Sequence, residues 1–151
     1  MTSIGIQQGT EQFYLALVVW REARGEDAFA QLGVAFTVLN RRSRPGWWGK
    51  SVDEIATKKW QYSSLTDPND PQLTKWPLLS DPSWGRAWNV ATLVLGGSAQ
   101  NPVEGADSYY DDSLQGDKIP KWAGTARFCG KIGRLNFYDV DHDYEAAALH
   151  A

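Results

Sequence analysis

The sequence has few of the residues that build disulfides, metal sites or thiol nucleophiles. It contains one cysteine, Cys129, and two histidines among 151 residues. One cysteine cannot form an intrachain disulfide, and a closed zinc site would need carboxylates to complete it. Cys129 has no catalytic pattern around it, and His142 and His150 lie near the C-terminus, where order is least secure. We therefore expect no metal, no cofactor and no cysteine–histidine nucleophile pair.

Long apolar runs and an excess of positive charge are also lacking. The longest apolar run, residues 13–20, is too short to span a bilayer. The N-terminal residues show no basic region followed by an apolar stretch, so we expect no secretory signal and synthesis in the cytoplasm. The net charge is −3, whereas a duplex-binding protein needs a basic surface. We expect neither membrane insertion nor a nucleic-acid partner.

The length and the composition predict one ordinary globular domain. Hydrophobic residues make up 42% of the chain and charged residues 22%. We predict a single catalytic domain over residues 1–151, with a core over about residues 10–138 and a solvated acidic tail over residues 139–151. The start of this tail resembles a calcium-binding loop, but the glycine and the bidentate glutamate of such a loop are missing.

Tryptophan is the residue present in excess, with eight in the chain. Several of these rings should be core, but so many leave some near the surface. Exposed flat rings suit sugar faces or nucleobases, and the lack of basic charge favours sugar. Trp47, Trp48 and Trp60 fall in or beside predicted loops and are the better candidates for sugar stacking. Trp84 and Trp88 have the spacing of core residues.

Helical patterns dominate the chain. We predict helices over residues 11–24, 28–42, 51–59 and 82–95, with caps at Thr10, Asp27, Ser51 and Asp81. Residues 61–80 read as a long loop, and residues 108–110 and 131–138 as short strands or extended segments. The predicted fold class is therefore α+β and mostly helical, with a small extended or β part.

A dense charged cluster, residues 21–26 (Arg-Glu-Ala-Arg-Gly-Glu), directly follows a helix that is apolar on every face. Glu22 lies one turn after Val18, so its carboxyl group projects from the apolar stripe. Desolvation disfavours a charged carboxylate, and a carboxylic acid that stays protonated near neutral pH is what glycoside cleavage needs. An ion pair of Glu22 with Arg21 or Arg24 at the helix end is the alternative interpretation.

These residues resemble the cell wall hydrolase family of spore-cortex-lytic enzymes, which are germination-specific lytic transglycosylases with relatives among phage endolysins. The resemblance begins with residues 20–26 and with the helix end at residues 38–42 (Val-Leu-Asn-Arg-Arg). Residues 61–63 (Gln-Tyr-Ser) resemble the family's Gln-Phe-Ser, and residues 87–97 resemble its alanine-rich helix. Residues 105–110 (Gly-Ala-Asp-Ser-Tyr-Tyr) resemble its Gly-Ala-x-x-Tyr-Tyr segment.

The last motif of the family contains one departure. Trp122 and Thr125 match the residues that precede this motif, and residues 132–133 and 137–138 match its ends. The motif usually carries a histidine, in Ile-Gly-x-His-x-Phe-Tyr, and this chain has Leu135 at that position. No role of that histidine can be carried over.

The resemblance implies a lysozyme-like fold and cleavage of the bond between N-acetylmuramic acid and N-acetylglucosamine in peptidoglycan glycan strands. Glu22 matches the family's catalytic glutamate, which first protonates the glycosidic oxygen. The same residue then helps the sugar's own 6-hydroxyl to attack the anomeric carbon, and a 1,6-anhydro sugar results. The resemblance also suggests a phage endolysin, which we expect to be monomeric and to depend on a holin for access to the wall.

The remaining site candidates come from the matched motifs. They are predicted to bind substrate or to orient Glu22, and each could instead be an ordinary helix-end, turn or core residue. Tyr109 and Tyr110 would point to opposite faces of a strand, one to the core and one to the groove. The candidates are Asn40, Gln61, Ser63, Tyr109, Tyr110 and Trp122.

Two other functions stay open. A lysozyme-type hydrolase needs a second carboxylate, about 5 Å from the first in retaining enzymes and about 6.5–9.5 Å in inverting ones. Glu26 is the nearest candidate, with Asp107 and Asp111 as others, although Glu26 could instead pair with Arg24 or cap the next helix. The alternative of another class is a non-catalytic glycan-binding or phage structural module, against which the complete Glu-Ala-Arg-Gly-Glu segment argues.

Overall fold

Five α-helices precede a small antiparallel sheet in the described part of the chain. The structure, a computed structural model, describes residues 3–44, 48–59 and 61–141, with side chains from residue 9 onward. Three short 3₁₀ helices lie in the connections, at Pro71–Thr74, Gly116–Lys118 and Lys121–Gly124. The main elements are α1 (Ser3–Ala23), α2 (Ala28–Arg42), α3 (Val52–Thr57), α4 (Ser63–Thr66), α5 (Pro82–Leu95), β1 (Ser108–Asp111), β2 (Arg127–Ile132) and β3 (Leu135–Asp139).

The first helix, α1, is the centre of the molecule. Each of residues 15–20 is at most 5% exposed, because α1 packs against α2, α3 and α5. The Trp20 indole N–H donates a hydrogen bond to the Ser83 hydroxyl at the start of α5, over 2.8 Å. The prediction of a buried central helix is confirmed. No helix in the described part of the chain is both long enough and apolar enough to cross a membrane.

Three predicted helix caps are present. Asp27, Ser51 and Asp81 each accept a hydrogen bond on the side chain from a backbone N–H in the first turn of the helix that follows. Such bonds satisfy donors that the helix itself cannot pair. The prediction of a cap at Thr10 is wrong, because α1 begins at Ser3 and runs through that residue. No proline interrupts residues 3–10, so nothing in this segment blocks the helical backbone.

The middle of the chain contains more helical structure than predicted. The helix expected to reach residue 59 ends at Thr57. Residues 61–80, predicted to be a loop, contain α4 and the 3₁₀ helix Pro71–Thr74. Asp70 caps this 3₁₀ helix through a bond from the Gln72 N–H, and proline follows the cap directly. Helical elements of four residues are too short to leave a periodic apolar pattern, so the sequence did not reveal them.

The C-terminal third forms a three-stranded sheet in the order β1-β3-β2, with both pairs antiparallel. Residues 131–138, predicted as one extended segment, include the turn between β2 and β3. Gly133 supplies a backbone φ of +58° at this turn, a conformation that glycine adopts without steric cost. The mostly helical α+β fold class predicted from the sequence is confirmed.

One predicted core residue of α5 is more exposed than expected. Trp88 is 36% exposed, and its ring lies against that of Trp84, with 5.9 Å between centroids. The buried stripe of α5 is instead formed by Trp84, Ala87, Ala91 and Val94. Four-residue spacing drifts around a helix of 3.6 residues per turn, so Trp88 falls at the edge of that stripe.

Helix α2 lies close to the sheet at Gly33. A Cβ atom added there would lie 2.7 Å from Cζ of Phe137, whose ring is fully buried on β3. Since real Cβ atoms do not make contacts this short, either the helix or the ring would have to shift. Gly33 therefore sets the distance between the helical part and the sheet.

We expect Gly33→Ala to lower the free energy of unfolding by about 1–3 kcal/mol, because overpacking against Phe137 outweighs the better helix propensity of alanine. Denaturant unfolding would measure the change. Gly85→Ala is the matched control, because Gly85 lies in α5 with nothing within 4 Å of its added Cβ. There we expect a gain of up to about 1 kcal/mol. An equal gain at Gly33 would show that the α2–sheet contact is not tight.

Candidate active site

A cleft of about 1040 Å³ lies beside the C-terminal end of α1. Part of its lining comes from residues 57–59 and 61–69, and part from the start of β1 and from Trp122. Its lining brings together side chains that are distant in sequence. They are Glu22, Arg41, Trp48, Thr57, Lys59, Gln61, Tyr62, Ser63, Leu65, Thr66, Asp67, Pro68, Asn69, Ser108, Tyr109, Trp122 and Val140.

Glu22 lies in the last turn of α1, half-buried, and lines this cleft. The Tyr109 hydroxyl on β1 donates a hydrogen bond to Glu22 Oε1. Burial, followed by the negative charge of Glu22, raises the pKa of Tyr109 well above its ordinary value. Tyr109 therefore keeps its proton and acts as a donor to the carboxyl group.

The arginines beside Glu22 have other partners. Arg21 donates to the carbonyl oxygens of Ser64 and Lys75, and Arg24 donates to that of Trp20. The Arg24 guanidinium also lies over the Trp20 ring, 4.1 Å from its centroid. Both guanidinium groups therefore bind elsewhere instead of forming the helix-end ion pair with Glu22.

Arg41 supports the same cleft from α2. Its Nε donates to the carbonyl oxygen of Asp107 over 2.7 Å, and its Nη1 donates to Gln61 Oε1 over 2.8 Å. The guanidinium lies 4.4 Å from the ring centroids of both Trp48 and Tyr62, a cation–π distance. Arg41 thereby holds three cleft-lining side chains. Arg41 appeared in the sequence predictions only within the matched segment 38–42, because its partners come from distant segments.

Five of the eight predicted site residues line the cleft. Besides Glu22 and Tyr109, these are Gln61, Ser63 and Trp122. Gln61 accepts from Arg41, and the Ser63 hydroxyl donates to Asp70 Oδ2 over 2.7 Å. All three side chains can therefore contact a ligand in the cleft. Their role in substrate binding stays a prediction.

Asn40 and Tyr110 lie elsewhere. The Asn40 amide donates to the carbonyl oxygens of Glu104 and Ala106, over 2.8 and 2.7 Å, and so holds the loop that leads into β1. Tyr110 lies on the other face of the sheet from Tyr109, as strand alternation predicted. Neither residue lines the cleft. Trp47 and Trp60, predicted to stack on sugars, lie outside the described residues.

The predicted second carboxylate, Glu26, also points away from the cleft. Its Oε1 accepts from the Arg134 guanidinium over 3.1 Å. Among the described residues, Asp67 is the other carboxylate in the cleft besides Glu22. Asp67 follows α4, and its Oδ1 accepts from the Asn69 N–H over 2.9 Å. Sequence reasoning missed Asp67, because only the tertiary fold brings it to the same cleft as Glu22.

A buried charge cluster lies next to the cleft, because Asp107 binds the backbone of the cleft-lining Val140. Asp107 Oδ2 accepts from Arg44 over 2.7 Å and from the Asp141 N–H over 2.9 Å, while its Oδ1 accepts from the Val140 N–H over 3.0 Å. Burial raises the pKa of Asp107, and the two backbone bonds oppose this shift. Arg44 also contacts Asp139 over 3.1 Å.

The same cluster corrects the prediction of a solvated tail from residue 139. Asp139 belongs to β3, and Asp139, Val140 and Asp141 are all buried. The acidic residues in this segment are retained inside because Arg44 and Arg127 neutralise them. Residues 142–151, with both histidines, lie outside the described residues.

Leu135 occupies a core position. It is buried in the hydrophobic cluster, and it pairs with Asp111 across the sheet. It does not line the cleft. At the position of the family's usual histidine, this chain therefore has a leucine that packs in the hydrophobic core.

The side chains described offer little for metal or thiol chemistry. No group of three His, Cys, Asp or Glu residues among them is arranged to hold a metal ion. Burial raises the pKa of the Cys129 thiol, which disfavours the reactive thiolate. The Glu22 carboxyl group, to which the Tyr109 hydroxyl donates, is a group in this cleft that can give and take a proton.

Comparison with solved structures shows the fold. The chain is similar to the catalytic domain of the germination-specific lytic transglycosylase SleB from Bacillus anthracis, with a TM-score of 0.66, 22% identity, and coverage of 85% of this chain and 93% of that one. It is also similar to the catalytic domain of Bacillus cereus SleB, with a TM-score of 0.63, 20% identity, and coverage of 86% and 90%. Both matches support the lysozyme-like fold expected from the sequence.

Sequence comparison gives the family. No curated protein matches the chain. The sequence model of the Cell Wall Hydrolase family matches residues 25–138, most of the chain. Glu22 lies just before this range, so the match itself does not assign its role. On the family match, the chain belongs to the cell wall hydrolase family and is an enzyme that degrades peptidoglycan.

Proposed function

We propose that the protein is a lytic transglycosylase that cleaves the bond between N-acetylmuramic acid and N-acetylglucosamine, with Glu22 as the catalytic acid and base. One observation carries the proposal: Glu22 lines the large cleft and receives a hydrogen bond from the hydroxyl of the half-buried Tyr109. The lytic transglycosylase named among the structures of similar fold supports the same reaction type. The lysis of a host by a phage, with a holin, stays a prediction.

The reaction needs one carboxyl group and no external water. Protonated Glu22 gives its proton to the glycosidic oxygen, and the C1–O bond of muramic acid breaks as the N-acetylglucosamine hydroxyl leaves. The Glu22 carboxylate then takes the proton of the muramic acid 6-hydroxyl. The 6-oxygen bonds to C1 and closes the 1,6-anhydro ring, and Glu22 is protonated again.

A lysozyme-type hydrolase is the second candidate, and Asp67 is the observation that favours it. Its carboxylate lines the same cleft as Glu22. It could activate water or stabilise the developing positive charge on the sugar, as the second carboxylate of such enzymes does. Glu26 does not suit this role, because its carboxylate faces Arg134.

Mass spectrometry of the products separates the two reactions. Purified peptidoglycan would be digested with the native protein and with Asp67→Asn. We expect anhydro-muropeptides from both proteins. Products that each carry one added water, formed by the native protein and lost in Asp67→Asn, would instead establish the hydrolase. The absence of products from native protein would contradict both candidates.

We also expect Tyr109→Phe to lower kcat about tenfold with little change in KM. The hydroxyl donates a charge-assisted bond to the Glu22 carboxylate, worth about 1.5–3 kcal/mol, when that group has given up its proton. Steady-state kinetics would measure the change.

Tyr14→Phe is the matched control for Tyr109→Phe. Tyr14 lies on α1 two turns before Glu22 and does not line the cleft. Its loss of a hydroxyl should leave both kcat and KM unchanged. An unchanged kcat in Tyr109→Phe would show that the Tyr109 hydroxyl serves packing alone.

A further inference from the structure

The sheet presents a second aromatic surface on the side away from the α2 contact. In β1 and β3, Tyr109 pairs with Phe137, and Ser108 pairs with Tyr138. Because side chains alternate along a strand, Tyr110 and Tyr138 share the face opposite Tyr109 and Phe137. Phe128 pairs with Tyr138 from β2 and belongs to the same face.

These rings form one contiguous group. Tyr110 stacks on Tyr138 with 5.9 Å between centroids and 21° between planes. The rings of Trp122 and Phe128 each contact that of Tyr138 in an edge-to-face arrangement, with 5.3 Å between ring centroids. Phe128 is 54% exposed, and the other three rings are half-buried. We call these four residues the outer aromatic face.

The outer aromatic face continues the cleft. Trp122 lines the cleft with Glu22 and also packs on Tyr138. Ser108, the neighbour of Tyr138 across the sheet, lines the cleft as well. A polymer that leaves the cleft past Trp122 therefore passes directly onto the outer aromatic face.

The border of this face is polar. Lys131 lies opposite Asn136 on β3, and its ammonium pairs with Asp112. The Asn136 amide donates to Asp112 Oδ1 over 2.9 Å. Apolar rings surrounded by hydrogen-bonding groups suit a ligand with C–H faces and polar substituents, which describes an N-acetylated sugar.

We propose that the outer aromatic face is a second glycan-binding surface, which holds the peptidoglycan strand beyond the cleft where it is cut. The proposal rests on the proposed function, because it takes the occupant to be the continuation of the same polymer. Continuity through Trp122 argues for that occupant over a protein partner. The outer aromatic face lies on the other side of Trp122 from Glu22. It therefore raises the affinity for glycan strands that are long enough to reach past the cleft.

Binding to insoluble peptidoglycan tests the proposal without cleavage. Glu22→Gln would be sedimented with purified sacculi, alone and combined with Phe128→Ala. We expect the added Phe128→Ala to raise Kd about three- to tenfold, the range for loss of one aromatic contact. Adding Phe128→Trp instead, which keeps a ring, should preserve binding. Adding Phe29→Ala is the control, because Phe29 is 67% exposed near the start of α2.

The outcomes separate this proposal from the proposed function. Equal sedimentation of the Phe128→Ala and Phe29→Ala proteins would overturn the second surface, whatever Glu22 does. A change of oligomeric state in Phe128→Ala on size-exclusion chromatography, with unchanged binding to sacculi, would show a contact between copies and also overturn it. Failure of the proposed function would appear separately, in the product analysis of the native protein.

Discussion

Glu22→Gln should abolish cleavage of peptidoglycan while the protein stays folded. Glutamine has the size of glutamate, and its amide oxygen can still accept the hydrogen bond from Tyr109, but it has no acidic proton to give. General acid–base catalysis by one residue contributes about 100- to 10,000-fold, so we expect a loss of at least about 100-fold. The release of soluble fragments from sacculi would measure the rate, and thermal unfolding would report the fold.

Glu26→Gln is the matched control for Glu22→Gln. Glu26 lies four residues later, outside the cleft, and is paired with Arg134. Its variant should keep cleavage near the native rate. Full lysis by a folded Glu22→Gln protein would remove Glu22 from the mechanism. Loss of cleavage in both variants would indicate that Glu26 is the second carboxylate of a hydrolase.

Asp107→Ala should cause a large loss of stability. The Asp107 side chain is fully buried and accepts hydrogen bonds from Arg44 and from the backbone of Val140 and Asp141. Removing the Asp107 carboxylate deprives Arg44 of one of its acidic partners. It also leaves the buried N–H groups of Val140 and Asp141 without an acceptor. Breaking a buried pair in this way costs about 3–5 kcal/mol, a large part of the ordinary stability of a domain.

Asp112→Ala is the comparison for Asp107→Ala. Asp112 pairs with Lys131 at the surface, where both side chains are about half exposed. Exposed pairs contribute about 0–1 kcal/mol. Denaturant unfolding of both variants would give the two free energies. Equal small losses would show that the Arg44 cluster is not needed to hold residues 139–141.

The sequence predicted features that depend on neighbouring residues more accurately than features that depend on residues far apart in the chain. Asp27 and Asp81 were identified as caps because a cap needs only the next few residues. Glu22 was found because a charged cluster follows an apolar helix and resembles a family motif. These features are local, and the structure contains the two caps and places Glu22 in the cleft.

Features that depend on distant segments were missed or only partly predicted. No local pattern linked Arg44 to Asp107 and Asp139, or placed Asp67 in the same cleft as Glu22. Trp88 had core spacing, yet its exposure depends on where α5 packs. Such contacts follow from the tertiary arrangement, which residue periodicity alone does not specify.

The hydrogen bond between Glu22 and Tyr109 joins residues 87 positions apart. Val140, which lines the same cleft, lies further still along the chain. Contacts of this separation carry a high loop-closure entropy and are slow to form. During synthesis, the ribosome must therefore release the chain at least as far as Val140 before the cleft can assemble. A growing chain that ends before β1 carries Glu22 without the Tyr109 hydroxyl that hydrogen-bonds to it.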